Sequence, residues 1–380
     1  MIYLDKAATS WPKPPAVARA VRDAITHSTG NPGRTSHRSS MDSAMLIQEC
    51  RENIAQLFAI NNPLRICFTA NTTDALNMAI KGVLAPGDHV ICSSMEHNSI
   101  WRPLTALADL GVELSIAEAD SSGVVSVTTV EHLLRPNTKL IAMLHASNVN
   151  GAIQPIAEIG LLARSRNITM LVDAAQSAGS IPIDVEAMHI DLLAFPGHKG
   201  LLGPQGTGGL YVRERVNLRI IKEGGTGSDS NSPHQPIYYP DRLESGTLNL
   251  PGIAGLNQSV RYLLQRGVAQ IERHESKLTQ HLLAGLMKID GVMVYGPPVG
   301  VPRAAVVSFN LREMDPVYVA AELEKRADIA CRPGWHCAGL AHRTQGTQKT
   351  GTVRLSPGPF TKIKEIEIAL SVIAELAGED

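Results

Sequence analysis

From residue 65 onward the chain alternates short, nearly continuous apolar runs with longer stretches of helical periodicity. RICFTA (65–70), HVICSS (89–94), VELSIAEA (112–119), KLIAMLHA (139–146) and ITMLVDA (168–174) read as strands. Each is too brief for a helix and is bounded by Gly, Pro or a polar cluster. Two further runs, 190–195 and 209–212, enclose a glycine-rich loop with a single lysine, Lys199. Apolar strands separated by helices predict an α/β fold, with a mostly parallel sheet sandwiched by helices.

Helical periodicity also marks 14–28 and 41–59, on either side of GNPGRTSHRSS (30–40), which is either an active-site loop or a surface loop. After residue 212 the alternation stops. The polar segment 224–252 is too long for an ordinary connector. A helical region (253–289), strands near 292–295 and 304–310, a helix near 316–326, IACRPGWHCAG (329–339), a strand at 351–356 and an amphipathic helix at 362–376 follow. The expected division is a large domain, 1–252, and a small α+β domain, 253–380, with residues 1–15 packing beside the small domain.

A length of 380 residues suits one large and one smaller core. With 44% hydrophobic and 19% charged residues the chain is globular, and a net charge of −1 carries no nucleic-acid footprint. The start, MIYLDKAATSW, has no basic leader before an apolar core, and no run is long enough to span a bilayer. The five cysteines are odd in number and scattered, which points to reduced thiols in the cytoplasm.

In an open α/β sheet, ligands bind beyond the carboxyl ends of the strands. The polar residues found there are Thr72 and Thr73, His97, Asn148, Asp173 with Gln176, and His198 with Lys199. Singly, Thr73 and Asp173 read as helix caps and His97 as a loop residue. Together they offer an anion-binding helix start, an imidazole, an amide, a carboxylate and an amine to one edge. That set suits pyridoxal phosphate, whose aldehyde needs a lysine and whose ring nitrogen needs a carboxylate. No GxGxxG follows the first strand, which disfavours a dinucleotide. Cys331, His336 and Cys337 match no usual zinc spacing, so no metal is expected.

The sequence resembles the class V aminotransferase-like enzymes, and among them the cysteine desulfurases and selenocysteine lyases. The resemblance rests on YLDKAAT (3–9), NTTDALN (71–77), MEHNS (95–99), SNVNG (147–151), VDAAQ (172–176), GHKGLLGPQGTG (197–208), RLESGT (242–247), RPGWHCAG (332–339) and TVRLS (352–356). It implies the type I fold of pyridoxal-phosphate enzymes and conversion of L-cysteine, or L-selenocysteine, to L-alanine. By similarity Lys199 would hold the cofactor and move the Cα proton, Asp173 would pair with the ring nitrogen, and His97 would stack on the ring and take part in proton transfer as a catalytic residue. Gln176 and Asn148 would lie near the phenolic oxygen and the substrate. Thr73 and His198, beside Thr72, would hold the phosphate. Thr247 would reach the neighbouring subunit's phosphate, implying a homodimer. Arg354 would bind the substrate carboxylate, and Cys337 would take the sulfur as a persulfide before passing it to an acceptor protein. Two departures stand out: Pro196 replaces a phosphate-binding serine common among relatives, and Trp335 stands where a polar residue is common. A class V aminotransferase needs no thiol at 337 and is the weaker alternative. A catalytically silent docking protein is disfavoured by the intact lysine, aspartate and arginine.

Overall fold

The computed structural model describes residues 1–27, 30–32 and 37–379. Seven strands form the central sheet in the spatial order Ile66–Thr69, Gly208–Val212, Leu192–Pro196, Thr169–Asp173, Thr138–Leu144, His89–Ser93, Glu113–Ala117. Gly208–Val212 runs antiparallel to both neighbours, and the other pairs are parallel. The physical reason is the short loop that leads into it. A parallel return needs a crossover of a dozen or more residues, usually a helix, whereas an antiparallel return does not.

His89–Ser93, Leu192–Pro196 and Gly208–Val212 are buried along their whole length. Successive side chains point to opposite faces, so Ile91 joins an apolar layer with Ile54, Phe58 and Phe195, while Cys92 joins Leu76, Ile80 and Leu104 on the other side. This two-faced burial explains why the strands read as continuous apolar runs.

A second, antiparallel sheet is ordered Arg332–Gly334, Thr352–Leu355, Val307–Leu311, Val292–Tyr295. The Val268–Leu286, Pro316–Ala327 and Ile363–Ala377 helices pack on it through Leu282, Phe309, Leu323 and Ile373. The chain start contributes a strand that the sequence pattern did not reveal, Ile2–Tyr3, paired in parallel with Ile329–Ala330.

The helical region expected at 253–289 is two helices, Leu250–Arg266 and Val268–Leu286. Gly267 separates them at φ +80°, and its N–H closes the first helix on the Leu263 carbonyl. Glycine adopts that conformation without a Cβ penalty. The helix expected at 41–59 spans Arg38–Phe58, extended by a His37 cap on the Ser40 N–H. The helix expected at 14–28 is described over Pro15–His27, and residue 28 lies outside the described residues. So do residues 33–36 of the 30–40 segment. Among the described residues no helix is long and apolar enough to cross a membrane.

Candidate active site

Parallel strands deliver their carboxyl ends to one edge of the sheet, and a cleft of about 100 Å³ opens there. Its lining includes Thr72, Thr73, His97, Asn148, Asp173, Gln176, His198 and Lys199, together with Asn71, Ser99 and Pro196. Eight of the side chains expected from sequence therefore meet in one place.

Lys199 follows directly on the Leu192–Pro196 strand. Gly197, beside it, has no room for a side chain, because a Cβ would meet Thr207 Oγ1 at 2.0 Å. The peptide leading into Lys199 is clamped. The His198 carbonyl accepts from the Ser10 N–H (3.0 Å), Ser10 Oγ (3.0 Å), Thr9 Oγ1 (3.2 Å) and Lys13 Nζ (3.3 Å). Burial lowers the Lys199 amine to about 8, with Arg354 and Arg332 acting the same way and Asp173 opposing. Among the described residues its Nζ has no hydrogen-bond partner, so the amine is left open to a ligand.

Asp173 ends its strand with one carboxylate oxygen accepting the Ala175 N–H at 2.8 Å. The other oxygen has no partner among the described residues. Burial raises this carboxyl to about 6, opposed by the Ala175 N–H and by Lys199. His97 caps the Asn98–Ala108 helix, its Nδ1 accepting the Ser99 N–H at 3.1 Å. That bond leaves the ring proton on Nε2. Burial, then Lys199 and three arginines, lower His97 to about 4, so it is neutral at pH 7. Gln176 is oriented by its Nε2 donating to the Ala7 carbonyl at 3.0 Å.

The Thr72–Val83 helix points its start at the cleft. Asn71 caps the Asp74 N–H, leaving those of Thr72 and Thr73 free among the described residues. Gly208 permits this approach: a Cβ there would lie 2.9 Å from the Asn71 carbonyl carbon. Pro196 lines the cleft and offers no hydroxyl. The unpartnered amine, the half-partnered carboxylate and the open helix start form a donor set that fits a phosphorylated pyridine aldehyde.

Three expected site residues lie outside the cleft wall. Arg354, 1% exposed, donates to Asp5 Oδ1 at 2.8 Å and to the Asn148 carbonyl at 3.1 Å. Cys337 is exposed, and Arg332 Nη2 donates to its Sγ at 3.5 Å. Its loop docks on the segments that follow two strands of the large sheet: the Asn98 N–H donates to the Cys337 carbonyl (2.8 Å), and Asn148 Nδ2 donates to the His336 carbonyl (2.7 Å). His336 and Cys337 take φ of +48° and +57°, a backbone cost of order 1–3 kcal/mol each that these contacts sustain. Thr247 lines a separate groove with Asp74, Lys222 and Asn249. Trp335 is exposed, its indole donating to the Gln348 carbonyl.

Sequence reasoning assigned no role to Thr9, Ser10, Asp5 or Ser99. The first three lie within or beside the YLDKAAT motif, but their contacts are with residues far along the chain. Ser99 was legible as a helix-start residue.

The fold and cleft define a class. The chain belongs to the aminotransferase class-V family, whose model matches residues 2–368. Its similar relatives within that family are cysteine desulfurases. A probable cysteine desulfurase of Methanothermobacter thermautotrophicus is 36% identical, the match covering 99% of this chain and 95% of the relative. A cysteine desulfurase IscS of Pectobacterium atrosepticum is 30% identical, covering 99% and 93%. The apo structure of a cysteine desulfurase from Thermococcus onnurineus superimposes with a TM-score of 0.93 at 34% identity, covering 99% of this chain and 94% of that one.

The Lys199 environment predicts a pH profile. Only the neutral amine attacks an aldehyde, so capture of added pyridoxal phosphate should speed up as pH rises and level off above about 8. Stopped-flow absorbance across pH 6–10.5 would show it. An inflection near 10.5, the ordinary lysine value, would contradict the burial argument.

Proposed function

We propose that the protein is a pyridoxal-phosphate-dependent cysteine desulfurase that converts L-cysteine to L-alanine and keeps the sulfur as a persulfide on Cys337. The observation carrying this reading is an amine, a carboxylate and an open helix start in one cleft, with an exposed thiol docked beside it. The cofactor, when bound, supplies an aldehyde and an electron sink for charge left at the substrate Cα.

The chain's own residues do the rest. The Thr72 and Thr73 N–H groups and hydroxyls, with His198, hold the phosphate. Asp173 accepts from the ring nitrogen and keeps it protonated. Neutral His97 would hold the ring, and Gln176 and Asn148 would hold its phenolic oxygen and the substrate. Lys199 tethers the cofactor and then carries the Cα proton. Arg354 receives the substrate carboxylate. The Cys337 thiolate, with Arg332 donating to its sulfur, attacks the substrate sulfur. An S–S bond forms and the C–S bond breaks. Its electron pair stays with the carbon skeleton, which takes up a proton and leaves as alanine. The enzyme thiol thus ends as a persulfide for an acceptor.

We infer a homodimer in which Thr247, which does not line its own cleft, completes the partner's phosphate site.

The test is a product assay of the yellow, cofactor-loaded protein with L-cysteine and L-selenocysteine, with light scattering on the same sample. Alanine in step with sulfide when dithiothreitol is present to reduce the persulfide, and one added sulfur on Cys337 by mass mapping when it is omitted, is the expected result. Pyruvate as product, an α-keto acid requirement, or a fully active monomer would refute the corresponding part. Turnover confined to selenocysteine would make the enzyme a selenocysteine lyase.

A further inference from the structure

Arg354 already has a carboxylate partner. Its Nη2 donates to Asp5 Oδ1 at 2.8 Å and its Nη1 to the Asn148 carbonyl, while Nε is buried without a partner among the described residues. Arg332 lies directly opposite it in the strand ladder, adding positive charge. The guanidinium is 1% exposed and the Asp5 side chain 21%, so the carboxylate is the member of the pair that reaches solvent.

The backbone around Asp5 is fixed. Asp5 forms a bridge with Ser356, the Lys6 N–H donates to the Ser356 carbonyl, and the Ala7 N–H to Ser356 Oγ. Lys6 Nζ is buried between Ser180 Oγ (2.6 Å) and Glu275 Oε2 (2.8 Å). The same segment holds Gln176 through the Ala7 carbonyl and the Lys199 loop through Thr9 and Ser10. Freeing Arg354 therefore requires only rotation of the Asp5 side chain, with the strap to Lys199 left in place.

We propose that Asp5 is a stand-in for the substrate carboxylate: it occupies Arg354 in the resting enzyme, and the α-carboxylate of the incoming amino acid displaces it. This rests on the reading of Arg354 as the carboxylate site. The exchange is one carboxylate for another, so the buried guanidinium is never left unpaired, a condition that is costly in a protein interior. Asp5 thereby becomes a specificity-determining residue. It lowers the affinity for every carboxylate ligand and leaves amines without a carboxylate unaffected.

The cofactor-loaded wild type, Asp5→Asn, Asp5→Glu and Arg354→Gln would be titrated spectrophotometrically with L-alanine and with ethylamine. Asp5→Asn should bind L-alanine about tenfold more tightly, since the ligand then relieves an unpaired charge, with ethylamine unchanged. Asp5→Glu should restore wild-type behaviour. Unchanged or weaker alanine binding in Asp5→Asn overturns the proposal, as does a parallel change for both ligands, which would mark a structural role. The preference for alanine over ethylamine should vanish in Arg354→Gln. If it survives there, the carboxylate-site reading itself fails. If it vanishes while Asp5→Asn leaves alanine affinity unchanged, only the Asp5 proposal fails.

Discussion

Alanine in place of Lys199 is expected to abolish desulfuration, with a fall of roughly 10⁴-fold or more. Lys199 is the only lysine among the residues lining the cleft, and burial holds its amine at about 8 rather than 10.5. An amine so placed is nucleophilic near neutral pH and is also able to return a proton to the same ligand. Removing it therefore takes away both the tether and the proton carrier. Fold should survive, because its Nζ bonds to no described residue, the Leu202 N–H holds its carbonyl, and Ser10 and Thr9 hold the preceding His198 carbonyl. Borohydride reduction of the loaded wild type should fix the cofactor at Lys199, and the variant should bind it reversibly. Labelling at Lys13, or activity within tenfold of wild type, would remove Lys199 from its role. Lys13 is the instructive comparison: burial lowers it too, to about 8, but its Nζ is spent on Ser10 Oγ and the His198 carbonyl.

Cys337→Ser is expected to stop sulfur release from L-cysteine by about 10³-fold or more, while cofactor and substrate binding persist. A hydroxyl is too weakly acidic to replace a thiolate as the attacking group. Selenocysteine turnover should be less affected, because selenium leaves more readily without thiol attack. Cys331 is the internal control. It packs against the small-sheet core, and burial pushes its thiol up to about 12, so it holds little thiolate. Cys331→Ser should retain activity. Persulfide found by mass mapping only at Cys331, or full desulfuration by Cys337→Ser, would overturn the assignment.

What the sequence determined by itself was the local and the periodic. Strands buried on both faces must be apolar throughout, so the inner strands of the large sheet were visible as runs, and the helices as 3.6-residue patterns. Because parallel strands point the same way, the polar residues at their carboxyl ends had to share an edge. That reasoning alone assembled Thr72, Thr73, His97, Asn148, Asp173, Gln176, His198 and Lys199.

Tertiary structure decided what depends on contacts between distant segments. Asp5 meets Arg354, and Lys6 meets Glu275, across most of the chain length. No pattern within a window of sequence encodes such pairs. The antiparallel sense of Gly208–Val212 came from its short connection and its place between two strands. The positive φ of His336 and Cys337 is intrinsically unfavourable for those residue types. It is held by docking on Asn98 and Asn148, by the His336–Thr352 contact and by the Ala338 N–H closing on the Trp335 carbonyl.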